Sequence, residues 1–199
     1  SLAEVSSGVG ATPYDGITSK DAAMLLTLNP GAYTFHITGA DGGSGVALLE
    51  IYLVDDPDLH GSLVNLSTRA FVGTGENILI GGLVVEGPTT GSILVRGVGP
   101  SLTGQGVTSP LADPKLAIFH LADQIGSADN WGTDYLPSEM SALYKKLGAF
   151  DLPADSTDAA RYLQLPTGGY TFQVSGRSDG TGVALLESSL VRPDPKLFP

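Results

Sequence analysis

One stretch of this chain occurs twice. Residues 158–191 repeat residues 21–54 without a gap at an offset of 137, and 19 of the 34 aligned positions are identical. Asp21-Ala22-Ala23 matches Asp158-Ala159-Ala160, and Gly45-Val46-Ala47-Leu48-Leu49-Glu50 matches Gly182-Val183-Ala184-Leu185-Leu186-Glu187. A fixed internal period is the sequence mark of a repeated structural unit. The 199 residues cannot hold two units of that length. The reading is one whole unit, residues 58–199, preceded by the back part of another, residues 1–57.

Each copy contains an alternating run. Tyr33, Phe35 and Ile37 alternate with Thr34, His36 and Thr38, and Tyr170, Phe172 and Val174 do the same in the second copy. Period-2 alternation places one row of side chains in a core and the other in water. Gly-rich loops, 39–45 and 176–182, lead to second strands, Val46–Val54 and Val183–Val191. Each pair is expected to be a β-hairpin with a longer loop. Asn29-Pro30-Gly31 and Pro166-Thr167-Gly168-Gly169 are the turns that feed them.

Between the copies lies a Pro- and Asp-bearing linker, 55–61, and then four expected strands: Thr68–Val72, Ile78–Glu86, Ser92–Val98 and Lys115–Leu121. The apolar runs Ile78-Leu79-Ile80 and Leu83-Val84-Val85 predict a strand buried on both faces or covered by a neighbour. Residues 122–137 read as a polar loop holding the single Trp131. Met140, Leu143, Tyr144 and Leu147 fall at helical spacing with Gly148 as a stop, which predicts one short helix, with a looser version near residues 2–9. Short strands separated by Gly/Pro turns give the fold class: all-β, an antiparallel β-sandwich of Ig-like or jelly-roll-like type with one short helix, plus a partial second copy.

The formal charge of −11 lacks the basic footprint of a nucleic-acid binder or a cationic membrane face. The absence of Cys excludes disulfides, thiolate metal sites and a thiol nucleophile. No apolar run is long enough for a membrane-spanning helix, so membrane insertion is not expected. The first residue is Ser1, without a signal-peptide pattern, which reads as a processed product or a fragment.

Catalytic chemistry finds little support. His36, His60 and His120 have no metal-ligand spacing. No Ser/His/Asp set has motif context, and Gly73-Thr74-Gly75 and Gly97-Val98-Gly99 open no helix and precede no Lys-Ser/Thr, so they are turn glycines. The chain is not expected to be an enzyme or to carry a cofactor. Asp123, Asp129, Asn130 and Asp134 around the Trp131 loop are the only candidate metal ligands, as an oxygen-rich Ca²⁺ loop, with a solvated turn as the plainer reading. Trp131 is either a sugar-stacking platform or a core anchor. Arg69 and Arg96 are expected on adjacent strands with Glu86, as a cross-strand charge cluster. Glu50 and Glu187 occupy equivalent positions in the two copies, so they cannot be an acid/base pair of one site. Asn65-Leu66-Ser67 matches the N-glycosylation pattern.

Several motifs go beyond the repeat itself: Leu66-Ser67-Thr68-Arg69, Val72-Gly73-Thr74-Gly75, Val95-Arg96-Gly97-Val98-Gly99-Pro100-Ser101-Leu102, Asp129-Asn130-Trp131, and the Pro-Gly-Ala-Tyr-Thr and Gly-Val-Ala-Leu endings. Together they resemble a tandem β-sandwich repeat of very large secreted bacterial surface proteins. From Leu116 onward the chain also resembles pre-peptidase C-terminal domains. The resemblance implies an extracellular or cell-surface location and a structural or adhesive role.

The repeat count sets the functional expectation. The first copy has an apolar row, Tyr33, Phe35, Ile37, Val46, Leu48, Ile51 and Leu53, and no front strands of its own. It packs within the chain, is completed by a neighbouring subunit through strand addition, or belongs to a longer array. The favoured expectation is a structural subunit of a head-to-tail fibre or surface assembly, with itself as partner. The alternative is a carbohydrate- or calcium-binding adhesive module of a larger secreted protein, with a glycan as partner.

Overall fold

A computed structural model describes residues 2–13, 18–54 and 61–192. The expected boundary between residues 57 and 58, and His60, lie outside the described residues. The chain divides into two units, residues 1–63 and 64–199.

The second unit is the sandwich. In chain order it comprises β1 (Asn65–Val72), β2 (Leu79–Val85), β3 (Gly91–Val98), β4 (Pro114–His120), β5 (Asp123–Ala128), helix αC (Pro137–Leu147), β6 (Ala159–Leu165), β7 (Gly168–Gly176) and β8 (Gly182–Leu190). Two four-stranded antiparallel sheets have the orders β1-β8-β3-β6 and β2-β7-β4-β5. Val72, Val95, Leu116, Ile118, Phe172, Val174, Ala184 and Leu186 fill the space between them. The outer face of the first sheet is also covered. Leu94, Val98 and Ala160 meet Met140, Leu143 and Tyr144 of αC, together with Trp131. β3 therefore has both faces buried, from Ser92 to Val98.

That arrangement corrects several expectations. β7 and β8 are not a hairpin: they lie in different sheets. The 176–182 loop is an arch from one layer to the other, built on a 3-10 turn at Arg177–Asp179. β2, expected to be buried on both faces or covered by a neighbour, is an edge strand whose Ile80 and Val84 are exposed. The region read as a loop at 122–137 contains β5, and β6 forms from an Ala-rich stretch with no strand signal of its own. Arg69 and Arg96 are on strands separated by β8, and Arg96 pairs with Glu187 rather than Glu86. The helix forms where the apolar spacing predicts, with Pro137 in its first turn and Gly148 left-handed at its end.

The ladder partners carry the main lesson. β6 pairs with β3, β7 with β2 and β4, and β8 with β1 and β3. No strand of the repeated back half (β6, β7, β8) pairs with another strand of that half. Every one of its ladders runs to a front strand.

The first unit contains only a back half. Among the described residues its α-helix, αN, spans Leu2–Gly8 and buries no residue. None of residues 18–54 lies in a strand, so the hairpin expected over 21–54 is not formed. All residues from 21 to 50 are exposed. Among the described residues no helix is long and apolar enough to cross a membrane.

Candidate functional site

The first copy retains the local turns of the second although its strands are absent. Tyr33 donates its hydroxyl to the Asn29 carbonyl at 2.8 Å, as Tyr170 does to Pro166 at 2.9 Å. Residues Ala40–Gly42 form the same 3-10 turn as Arg177–Asp179, with Asp41 at φ 54° and Ser178 at φ 51°. Gly39 and Gly176 are both required there. A Cβ on either would sit 1.9–2.0 Å from the carbonyl oxygen of Gly43 or Gly180. The helix ends also match at an offset of 138: Ala11 N–H donates to Ser6 O at 3.0 Å, and Ala149 N–H to Tyr144 O at 2.9 Å.

These turns are short-range and the sequence dictates them alone. What differs is everything that depends on the front half. Asp158 is fully buried in the complete unit. It accepts bonds from the Gly99 amide at 2.7 Å, from the Ser101 amide and hydroxyl, and from the Ser156 hydroxyl at 2.7 Å. Its counterpart Asp21 is exposed and keeps only the local partner, the Ser19 hydroxyl at 2.5 Å. A buried carboxylate needs such donors to offset its lost hydration.

Glu187 shows the same contrast. It receives Arg96 through Nε at 2.6 Å and Nη2 at 2.5 Å, and Asn65 Nδ2 at 2.9 Å. Arg96 is itself fully buried, its guanidinium lying between the rings of Tyr144 and Phe150 at 4.9 and 4.7 Å. Burial pushes the Tyr144 phenol's pKa up, and Arg96 beside it pulls the other way. Glu50, the counterpart of Glu187, accepts bonds only from within its own unit, from Tyr52 at 3.0 Å and Thr12 at 3.5 Å.

The apolar row follows the same rule. Tyr33, Phe35, Ile37, Val46, Leu48 and Leu53 are exposed, Val46 almost completely, and Ile51 is half-buried. Their counterparts Tyr170, Phe172 and Val174 are in the core, and Val183 and Leu185 pack beneath αC. Because the two strands of a back half belong to opposite layers, residues 33–37 and 46–53 correspond to two facing walls of a sandwich rather than one sheet.

Two of the four loop residues are held in ion pairs. Asp129 pairs with Arg177 and Asp134 with Arg161, the latter at 2.8 Å. Asp123 begins β5, and Asn130 takes a left-handed conformation ahead of Trp131. No cluster of three or more His, Asp or Glu with metal-binding geometry occurs among the described residues. Trp131 is buried, donates to the Pro153 carbonyl at 3.0 Å and meets Tyr144 edge-on, so it is a core anchor. His120 stacks on Tyr170 and His36 is exposed. Asn65 of the glycosylation-like motif is bonded to Glu187 and Ser189. Sequence reasoning noted Glu50 and Glu187 only as equivalents and missed the buried roles of Arg96 and Asp158. The repeat itself held the signal, since Asp21/Asp158 and Glu50/Glu187 are its matched acidic positions.

No family model matches the chain, and no curated protein matches it. A solved structure similar to this chain is the pre-peptidase C-terminal domain of a collagenase from Bacillus anthracis. That likeness has 11% sequence identity and a TM-score of 0.39, and it covers 63% of this chain and 90% of that domain. A likeness of this extent carries no argument about family or function.

Proposed function

We propose that this chain is a structural, non-catalytic module of an extracellular head-to-tail assembly, whose N-terminal unit is completed by strands of a neighbouring polypeptide. One observation carries the reading. Every ladder of the complete unit's back half runs to a front strand, and the N-terminal back half has none, so its apolar residues stand exposed. Exposed apolar rows of this extent mark a binding surface, and burying each large side chain is worth about 1.5–3 kcal/mol. Secretion is the setting in which a Cys-free, acidic, repeat-built chain of this resemblance fits.

Negative-stain electron microscopy and sedimentation velocity on the purified chain test the assembly reading. Concentration-dependent association or fibres are expected, through the open unit. A strictly monodisperse monomer over a wide concentration range would overturn it.

A further inference from the structure

We propose that residues 22–28 and 46–53 are the two walls of a slot for a single inserted strand of the β3 type. That strand carries an arginine followed by a Gly-x-Gly-Pro-Ser turn and is supplied from outside residues 1–63, with Glu50 and Asp21 as its polar locks. The inference rests on the reading of residues 18–54 as an acceptor and specifies what they accept.

The complete unit supplies the template. β3 lies between β6 and β8, and Arg96 stands opposite Ala160 on one side and Glu187 on the other. Transferred through the repeat offset, β6 becomes residues 22–28 and β8 becomes 45–53. A donor arginine in the same register faces Ala23 and Glu50. The turn after it then brings an amide and a serine hydroxyl to Asp21, as Gly99 and Ser101 come to Asp158. Both carboxylates are exposed, and Asp21 is oriented by a local bond of the kind its counterpart keeps: Ser19 to Asp21 matches Ser156 to Asp158.

A glycine records the missing strand's surroundings. A Cβ on Gly182 would strike the Leu111 backbone at 2.6 Å, whereas one on Gly45 meets nothing within 4 Å. The sequence keeps a glycine at a position where close approach matters only once a front half is present. The chain's own β3 cannot be the donor in the folded state. Leu94, Val95, Arg96 and Val98 are buried in their own unit, and β3 is paired on both edges.

The slot differs from its template in one respect. Tyr144 and Phe150, which flank Arg96, correspond to Ser6 and Thr12. The donor cation therefore rests on Glu50 without aromatic faces. The slot selects positive charge more than a planar guanidinium, and a lysine donor loses less than a glutamine one.

The test uses the full chain and a fluorescent peptide with the sequence of residues 91–102. Anisotropy is expected to show saturable binding of one peptide per chain, and hydrogen exchange to slow at residues 22–28 and 46–53. An Arg96→Gln peptide is expected to bind about tenfold more weakly or worse, Glu50→Gln in the chain to cost the same, and the two together to cost no more than either. Asp21→Asn weakens binding less. Trp131 fluorescence reports that the complete unit stays folded in each variant.

Protection confined to other segments, or equal binding of the Arg96→Gln peptide, would overturn the proposal. So would protection of 22–28 and 46–53 by chain association that the peptide does not displace, since another surface of a second copy would then be the occupant. Peptide binding by a chain that sediments as a monomer would uphold this slot and sink the assembly reading. Assembly without peptide binding would do the reverse.

Discussion

Residues 21–54 and 158–191, identical at 19 of 34 positions, are in two different structural states. In the second, Phe172 and Val174 are buried and the segments are strands; in the first, Phe35 and Ile37 are exposed and no strand is present. The turns survive in both, because a 3-10 turn or a Tyr-to-carbonyl bond needs only a few adjacent residues. The strands do not, because their partners lie elsewhere in the chain. β-Propensity is mostly a statement about what lies alongside a strand. Here one sequence shows it, with neighbours present in one copy and absent in the other.

The largest break in the symmetry between the copies should come from the aromatic row. Phe172→Ala removes a fully buried ring from between the sheets and is expected to cost about 3–5 kcal/mol. Phe35→Ala touches no core and is expected to change stability by less than about 0.5 kcal/mol. Urea unfolding followed by Trp131 fluorescence measures both. Equal losses would mean that the first copy is packed in solution, and the contrast between the copies would fail.

The matched aspartates come next. Asp158→Asn keeps the shape but cannot accept all of the bonds from Gly99, Ser101 and Ser156, leaving buried donors underserved, at about 1–3 kcal/mol. Asp21→Asn alters one exposed turn and is expected to fall within about 0.5 kcal/mol. The same unfolding curves decide it. A loss at Asp21 as large as that at Asp158 would require a front half already in place around residue 21.

Much of this was legible in the residues. The repeat fixed the register of comparison, Met140, Leu143 and Tyr144 placed the helix, and the alternation in 170–174 marked the core-facing row. Alternation tells which face of a strand is buried, however, and says nothing about which sheet the strand joins. A glycine-rich loop of seven residues, 176–182, serves equally for a hairpin and for an arch between layers, so β7 and β8 were misread as partners. β5 reads Asp-Gln-Ile-Gly-Ser-Ala, and as an edge strand with most of its residues exposed it carries no apolar signature. Arg96 is expected in a cross-strand charge cluster with Arg69 and Glu86, and its burial is not legible, because its carboxylate lies 91 residues away in sequence.

The smallest effect concerns the arch, where the copies differ in charge. Arg177 in the complete unit corresponds to Ala40 in the first. Its amide donates to the Asp113 carbonyl at 2.9 Å, and its guanidinium pairs with Asp129. Burial raises the pKa of the Asp113 carboxyl above its ordinary 3.8, the neighbouring Asp129 charge raises it further, and Arg177 opposes them. A carboxyl raised in the folded state binds its proton more tightly there than in the unfolded chain. Stability is therefore lost as pH rises from the ordinary aspartate value through the raised one, and is not affected by this group below both. Asp113→Asn should relieve that loss, stabilising the complete unit by roughly 0.5 kcal/mol or less at neutral pH because the group is partly hydrated. The difference should vanish at acid pH, where both forms are neutral. Urea midpoints at the two pH values measure it. A gain that persists in acid would assign the effect to packing instead, and Arg177→Ala, which leaves Asp113 and Asp129 facing each other without their cation, should shift the neutral-pH midpoint the other way.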